Sequence, residues 1–147
     1  MPLKPLPIDA VIPDALQSLQ DKGALVLIAA PGAGKTTRIP PAVLDANLAN
    51  LASGQPGQIV VLQPRRVAAR SAAARISDER GTKLGQEIGY MVRHERLCSR
   101  DTRILVCTQG VFFLLFQDDP MLEQVSCVVF DEFHERTLDS DLALALV

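Results

Sequence analysis

A glycine-rich segment at residues 29–37, Ala-Ala-Pro-Gly-Ala-Gly-Lys-Thr-Thr, is the clearest chemical signal in the chain. Glycines allow the backbone to curl so that successive N–H groups point at one anion. The N-terminus of a following helix adds the positive end of its dipole. The segment therefore predicts a phosphate-binding loop, with these nucleotide contacts: Ala29, Ala30, Pro31, Gly32, Ala33, Gly34, Lys35, Thr36 and Thr37.

Two side chains of this loop have specific expected roles. We expect Lys35 to reach the β- and γ-phosphates of ATP and the Thr36 hydroxyl to ligate Mg²⁺. The usual pattern begins with glycine where this chain has Ala29, a mild departure because the residues nearest the phosphates are intact. The alternative, a glycine-rich turn that only caps a helix, is disfavoured by the apolar run that precedes the loop.

A second candidate site follows the apolar run at residues 125–130, where the sequence continues Asp-Glu-Phe-His-Glu-Arg. Ligands of open α/β sheets bind beyond the carboxyl ends of strands. We expect Asp131 to hold Mg²⁺, with Glu132 nearby as a further metal-binding carboxylate. Glu132 could also orient and deprotonate an attacking water. Read alone, the segment could be a solvated acidic loop, but its pairing with a phosphate loop favours catalysis.

The elements that must position these residues alternate along the chain. Apolar runs predict strands at residues 24–29, 58–63, 88–92, 103–107 and 125–130. Helices are predicted at residues 13–19, from about 36, at 66–80, 109–117 and 138–147, with Pro40 and Pro41 tolerable only in the early turns of the second. Strands spaced by helices predict an α/β fold, a three-layer domain with a mainly parallel sheet covered on both faces.

Composition restricts the remaining possibilities. The 147 residues fit one domain, spanning 1–147, and the net charge of −2 gives no global basic field. No apolar run approaches the ~20 residues of a membrane span, and the N-terminus lacks a secretory signal, so we predict a cytoplasmic location without a membrane partner. Cys107 and Cys127 lie in strand-like runs as small hydrophobes, which disfavours a disulfide or metal role for the cysteines. The apolar segment at 138–147 has no stop signal, which predicts that the chain is truncated there.

At these motifs the chain resembles a known family, the DEAH-box RNA helicases of superfamily two. Asp-Glu-Phe-His at residues 131–134 is similar to their DEAH box, with Phe133 replacing alanine. Further similarities occur in the family's order, to its GKTTQIP, PRRVAA, TDG or TEG and HER-S/T-L stretches, at residues 32–40, 64–70, 108–110 and 134–138. The chain most resembles the bacterial HrpB-type members.

The resemblance implies a fold, an activity and partners. It implies the first RecA-like P-loop domain of an ATP-dependent RNA helicase, with ATP and Mg²⁺ as cofactors. Its implied partners are single-stranded RNA, contacted along the backbone, and a second RecA-like domain. DNA would suit the same backbone contacts. The resemblance also places an SAT-type motif and the arginine fingers outside this chain, so we expect the chain alone to bind nucleotide weakly and to hydrolyse it poorly.

The resemblance also assigns residues. It implies that Arg75 stacks on adenine, whereas the residues alone equally suit a surface helix arginine. His134 is grouped with the catalytic residues Lys35, Asp131 and Glu132, and is expected to link the box to motifs outside the chain rather than to exchange protons. The implied nucleic-acid contacts are Arg65, Arg66, Thr108 and Gly110. Without the family, arginines at 65, 66 and 70 could simply be a solvated helix start.

Two other functions explain part of the pattern. A different P-loop enzyme, such as a kinase or a metabolic NTPase, would account for both phosphate motifs but not for the segments at 64–70 and 108–110. A non-enzymatic RNA-binding module would keep its RNA affinity when Lys35 is changed to alanine and would not bind magnesium nucleotide.

Overall fold

The computed structural model describes residues 4–147, which form five helices, five strands and two short 3₁₀ helices. The helices are α1 (Ile12–Lys22), α2 (Lys35–Asp45), α3 (Arg66–Arg80), α4 (Gln109–Asp118) and α5 (Leu138–Leu146). The strands are β1 (Gln58–Gln63), β2 (Ile88–Val92), β3 (Glu95–Leu97), β4 (Ile104–Thr108) and β5 (Val125–Phe130). The 3₁₀ helices are Pro7–Val11 and Phe133–Glu135.

The five strands form one sheet in the order β3-β2-β4-β1-β5. All neighbouring pairs are parallel except β2 with β3. In the register of β1, Gln63 lies opposite Thr108 of β4, and Leu62 lies opposite Phe130 of β5. The carboxyl ends of β1, β4 and β5 therefore meet at one edge, where open parallel sheets bind ligands.

Successive residues of β1 alternate between two cores, one on each face of the sheet. Ile59 and Val61 pack with the apolar side chains of α2 and α3. Val60 and Leu62 pack on the opposite face against α4 and α5, with Phe112 at the centre. All four β1 side chains are fully buried. This arrangement confirms the predicted three-layer α/β fold, because strands covered on both faces read as continuous apolar runs.

Local signals determine where several helices begin and end. Gly23 ends α1 and Gly81 ends α3, each in the left-handed conformation that glycine adopts most easily. Helix α2 continues to Asp45 although it contains Pro40 and Pro41, both of which are buried. The prolines therefore lie in the first two turns of the helix, as the sequence predicted.

The predicted strand at residues 24–29 is wrong. In the described residues 4–147, no sheet pairing includes this segment, and Val26 and Ile28 are 87% and 92% exposed. Strand β5 forms the edge of the sheet beyond β1, and residues 24–29 do not pair with its outer side. An apolar run becomes a strand only where a neighbour pairs with its backbone groups. Residues 24–29 therefore precede the phosphate loop as a segment outside the sheet.

In residues 4–147, no helix combines the length and the apolar composition that crossing a membrane requires.

Candidate active site

The glycine-rich loop bends sharply before α2 and opens directly into that helix. Gly32 and Gly34 have φ angles of 75° and 98°, in the region that favours glycine. The Ala33 N–H donates to the Ala30 carbonyl at 3.2 Å, which closes the turn. Because α2 begins at Lys35, its free N–H groups and the positive end of its dipole face the loop. This geometry suits an anion such as phosphate.

The Lys35 side chain folds back across the start of the loop. Its Nζ donates to the carbonyl oxygens of Ala29 at 2.8 Å and Ala30 at 3.1 Å. No ion pair of residues 4–147 includes Lys35, so its charge is balanced only by carbonyl dipoles. The ammonium group can therefore serve an anionic ligand without first leaving a carboxylate.

The Asp131 carboxylate lies beside the loop and accepts hydrogen bonds from three directions. The Thr36 hydroxyl and the Gln63 amide both donate to its Oδ2. The Glu132 N–H donates to its Oδ1 at 2.9 Å. The Asp131 N–H donates to the Leu62 carbonyl at 3.1 Å, which extends the pairing of β5 with β1 by one step. Its position is thus fixed through both backbone and side chain.

The residues after Asp131 make a strained turn. Glu132 has a φ of 53°, an uncommon conformation for a side-chain-bearing residue and one that occurs often at functional sites. Its carboxylate is 42% exposed and lies 3.3 Å from Nε2 of His134, which is 78% exposed. Phe133, where the family has alanine, stacks edge-on against Phe130 with ring centroids 5.9 Å apart. The phenyl ring therefore anchors the turn to the end of β5.

Two adjoining clefts connect these groups. Their volumes are about 420 Å³ and about 160 Å³, and Arg75 lines both. The other residues that line both are Thr36, Thr37 and Glu132. The smaller cleft also borders Gly32, Gly34 and Lys35, and the larger one borders Gln63, Arg65 and Asp131. Of the sequence-predicted site residues, these do not line either cleft: Ala29, Ala30, Pro31, Ala33, Arg66, Thr108, Gly110 and His134.

The predicted nucleic-acid residues lie at the same sheet edge, beyond β1 and β4. Arg65 is exposed and its guanidinium donates to Glu135 at 3.1 Å. Arg66 is exposed at the start of α3, where a cation opposes the helix dipole. Thr108 ends β4, and Gly110 is exposed at the start of α4. Since β1 and β4 are parallel neighbours, their two turns stand side by side.

A buried polar cluster connects the turn after β4 with α5. The Gln109 side chain donates to the Ser140 hydroxyl at 2.7 Å and accepts from the Thr137 hydroxyl at 3.2 Å. Thr137 also caps α5 by accepting from the Ser140 N–H at 3.0 Å. Both the nitrogen and the oxygen of the Gln109 side-chain amide are thus hydrogen-bonded at the start of α5. These bonds connect the segment at 108–110 with the segment at 134–140.

Sequence analysis did not identify three residues that the structure places in contact with the site. Gln63 donates to Asp131, Glu135 binds Arg65, and Glu79 binds Arg75. Gln63 offered one usable signal, since a polar residue ended an otherwise apolar strand run next to a sheet edge. Glu79 offered another, because it follows Arg75 by four residues on a predicted helix. The pairing of Glu135 with Arg65, 70 residues away, is determined by the fold.

In the described residues 4–147, Cys107 and Cys127 line neither cleft. Cys107 lies fully buried in β4, and burial raises the pKa of its thiol to about 12. Burial also raises the pKa of Cys127. Both thiols are therefore protonated near neutral pH and behave as small hydrophobes.

The phosphate loop depends on a contact with the N-terminal segment, which Gly34→Ala should reveal. A Cβ at Gly34 would lie 2.6 Å from Cδ1 of Leu6, whereas a Cβ at Gly32 meets nothing within 4 Å. Both positions have positive φ, so each alanine carries about 1 kcal/mol of backbone strain. We expect Gly34→Ala to lower the free energy of unfolding by about 1 kcal/mol more than Gly32→Ala, because the Leu6 methyl group must move aside and Ile8 already lies 3.2 Å from the new Cβ.

Urea denaturation of both variants measures the difference. Leu6→Ala in the Gly34→Ala background should recover part of the loss, since it removes the colliding methyl group. Equal destabilisation by the two glycine substitutions, without recovery on shortening Leu6, would contradict this account of the contact.

Comparison with known proteins gives one consistent result. The chain is 41% identical to the ATP-dependent RNA helicase HrpB of Escherichia coli over 97% of its length, and covers 17% of that protein. It is 42% identical to the mouse ATP-dependent RNA helicase DHX33, again over 97% of its length and 20% of the relative. The crystal structure of Escherichia coli HrpB superimposes with a TM-score of 0.86 over 97% of this chain and 17% of that one.

The relatives are thus much longer than this chain, and their RecA-like fold is shared. A profile of the DEAD/DEAH box helicases matches residues 9–141, which include the phosphate loop, the acidic turn and the strands between them. The chain therefore belongs to the DEAD/DEAH box helicase family.

Proposed function

We propose that this chain is the first RecA-like domain of an ATP-dependent RNA helicase, binding and hydrolysing Mg-ATP at the two clefts. The observation that supports this best is the contact of Thr36 with Asp131, because it unites a phosphate loop with a carboxylate at the sheet edge. The names of the relatives, ATP-dependent RNA helicases, support the same activity. As the chain covers at most about a fifth of those proteins, unwinding is proposed for the whole protein.

The side chains at this contact fit a magnesium ion. A hydroxyl and a carboxylate are the hard oxygen donors that Mg²⁺ prefers. In residues 4–147, no cluster of three or more histidine, cysteine, aspartate or glutamate side chains could hold a metal alone. That fits Mg²⁺ in phosphoryl transfer, which takes one or two carboxylates and completes its shell with phosphate oxygens and water. Thr36, Asp131 and Glu132 would hold the ion, which supplies charge neutralisation and alignment of the phosphates.

The remaining chemistry falls to other side chains of the clefts. The loop N–H groups and Lys35 bind and orient the phosphates, which lowers the barrier by positioning and electrostatic stabilisation. Glu132 is half-exposed at the cleft wall, where its carboxylate can accept a proton from water. Arg75 contacts the base from the junction of the clefts. His134, highly exposed, faces outward as a contact for a second RecA-like domain.

Nucleic acid would bind along the turns that follow β1 and β4. Arg65, Arg66, Thr108 and Gly110 offer guanidinium groups, a hydroxyl and an accessible backbone, which suit phosphate and sugar rather than base edges. RNA is favoured by the names of the relatives, and the backbone contacts would serve a DNA strand as well. The protein's sequence preference should therefore be weak.

Lys35→Ala should abolish or severely weaken Mg-ADP binding. A charge-assisted contact to phosphate contributes enough that its loss should raise the Kd about tenfold to a hundredfold. Isothermal titration calorimetry of the folded chain measures this directly. Lys83→Ala is the matched control, because Lys83 is exposed in the loop after α3, near the amino end of β2.

Equal affinities for the two lysine variants, or no binding by a folded unmodified chain, would contradict the nucleotide site. A non-enzymatic RNA-binding module would not bind the nucleotide at all. Any P-loop enzyme would lose nucleotide affinity on Lys35→Ala, so RNA binding must be measured separately.

Arg65→Ala should weaken binding of single-stranded RNA and flatten its dependence on salt. Each lost phosphate contact reduces the slope of log K against log salt concentration by about 0.7. Fluorescence anisotropy with a labelled oligonucleotide at several salt concentrations measures both quantities. Arg100→Ala is the control, since Arg100 is exposed before β4, at the opposite edge of the sheet. If the two arginine variants bind alike, Arg65 does not contact the strand.

Hydrolysis by this chain alone should be slow and little stimulated by RNA. An arginine finger contributes about 10³–10⁵ in rate in P-loop enzymes, and the family resemblance places these arginines on the second domain. A phosphate-release assay with and without single-stranded RNA tests this expectation. Vigorous RNA-stimulated turnover by the 147 residues would overturn it.

A further inference from the structure

Arg75 stands where the two clefts meet, and its exposed side chain has one partner among the described residues. Its guanidinium Nε donates to Oε1 of Glu79 at 3.1 Å, one helical turn further along α3. The Arg75 side chain is 62% exposed, whereas that of Glu79 is only 18% exposed. The arginine that borders the nucleotide cleft is thus tied to a carboxylate that lies mostly below the surface.

The second oxygen of Glu79 faces another arginine. Its Oε2 lies 3.3 Å from Nε of Arg38, whose side chain is 12% exposed. Neither of these two buried atoms has a hydrogen-bond partner in residues 4–147, so each depends on the opposite charge of the other. The Glu79 carboxylate therefore bridges two guanidinium groups, one buried and one at the cleft.

Arg38 is itself fixed by the elements around the phosphate loop. It lies in the first turn of α2, and its guanidinium donates to the Lys4 carbonyl at 2.8 Å and approaches Asp9 at 3.9 Å. The same N-terminal segment donates from the Ile8 N–H to the Ala33 carbonyl of the loop at 3.1 Å. A continuous series of contacts thus runs from the loop through Asp9, Arg38 and Glu79 to Arg75.

A buried carboxylate is costly at this place in the fold. Glu79 lies in the last turn of α3, where the negative end of the helix dipole disfavours acidic side chains. An exposed pair four residues apart contributes little when both side chains are mobile. Here Arg38 already holds the Glu79 carboxylate in place. The pairing with Arg75 therefore costs only the conformational entropy of the Arg75 side chain.

We propose that Glu79 is a positioning residue that orients Arg75 for contact with the nucleotide base. With its Nε engaged, the guanidinium keeps both flat faces and its terminal nitrogens free for stacking and donation. Glu79 acts through Arg75 and does not itself contact the phosphates. The inference rests on the proposed nucleotide site and concerns only the part of affinity that comes from the base.

Comparing ADP with pyrophosphate separates the base contribution from the phosphate contribution. Glu79→Gln keeps the shape of the side chain and removes its charge. We expect this variant to raise the Kd for Mg-ADP by about threefold to tenfold, the size of a lost stacking interaction with a cation, while leaving the Kd for magnesium pyrophosphate unchanged. Calorimetry with both ligands provides the two values. Asp78→Asn removes the same charge from an exposed neighbouring position on α3 and should change neither Kd.

A role in folding alone would change both ligands equally, and that result would overturn the inference. Arg75→Gln provides a second route that leaves the buried Glu79–Arg38 pair intact. It should reproduce the selective loss of ADP affinity, and Glu79→Gln should add nothing in the Arg75→Gln background, since the two act as a unit. If Arg75→Gln leaves the ADP affinity unchanged, Glu79 has nothing to orient and the inference fails.

The outcome for Lys35→Ala keeps the two hypotheses distinguishable. If Lys35→Ala weakens pyrophosphate binding but Glu79→Gln leaves the ratio of the ADP and pyrophosphate Kd values unchanged, the nucleotide site is retained and the positioning role is rejected. If Lys35→Ala leaves the Kd for pyrophosphate unchanged, both the nucleotide site and the positioning role are rejected.

Discussion

The contact between the Thr36 hydroxyl and the Asp131 carboxylate joins residues 95 positions apart in sequence, and the whole candidate site depends on it. It can form only because β5 pairs with β1 and ends level with it, so that the Asp131 N–H reaches the Leu62 carbonyl. On the other side β4 pairs with β1 in register, which brings Thr108 to the same edge. Parallel pairing of β4 and β5 with the buried strand β1 thus converts distant sequence segments into one surface.

The phosphate loop reaches this surface by an unusual combination of supports. The segment before it lies outside the sheet, so the loop is not positioned by a paired strand in the described residues. The loop continues directly into helix α2, which is fixed to the sheet because Val43 and Leu44 are buried in the core. The N-terminal segment supports its side, through Leu6 against Gly34 and the Ile8 N–H to Ala33. The N-terminal segment therefore contributes to the position of the loop.

These features explain what the sequence could and could not predict. Strands β1, β4 and β5 and helix α3 were predicted because a buried strand or a capped helix carries its own local signal. The same local signal was wrong for residues 24–29, since it measures apolarity and not whether the backbone pairs with a neighbouring strand. Three-residue β3 was too short to show any periodicity. The contact of Gln63 with Asp131 arises from packing between elements, so no spacing in the sequence encodes it. The contact of Glu79 with Arg75 lies within α3, and its four-residue spacing was a usable signal.

The turn after β5 shows how the fold stabilises a strained backbone. Glu132 and Arg136, on either side of the short 3₁₀ helix, have φ angles of 53° and 40°. Each such residue costs about 1–3 kcal/mol, so external contacts must fix the turn. Arg136 pairs with Asp141 at 3.0 Å, and Phe133 packs on Phe130.

Those contacts reach the turns beyond β1 and β4 as well. Glu135 binds Arg65 after β1, while Thr137 and Ser140 bind Gln109 after β4. The segment that begins with the two carboxylates of the cleft is therefore hydrogen-bonded to both turns proposed to contact nucleic acid. The strained acidic turn and the turns after β1 and β4 are consequently connected by one set of hydrogen bonds.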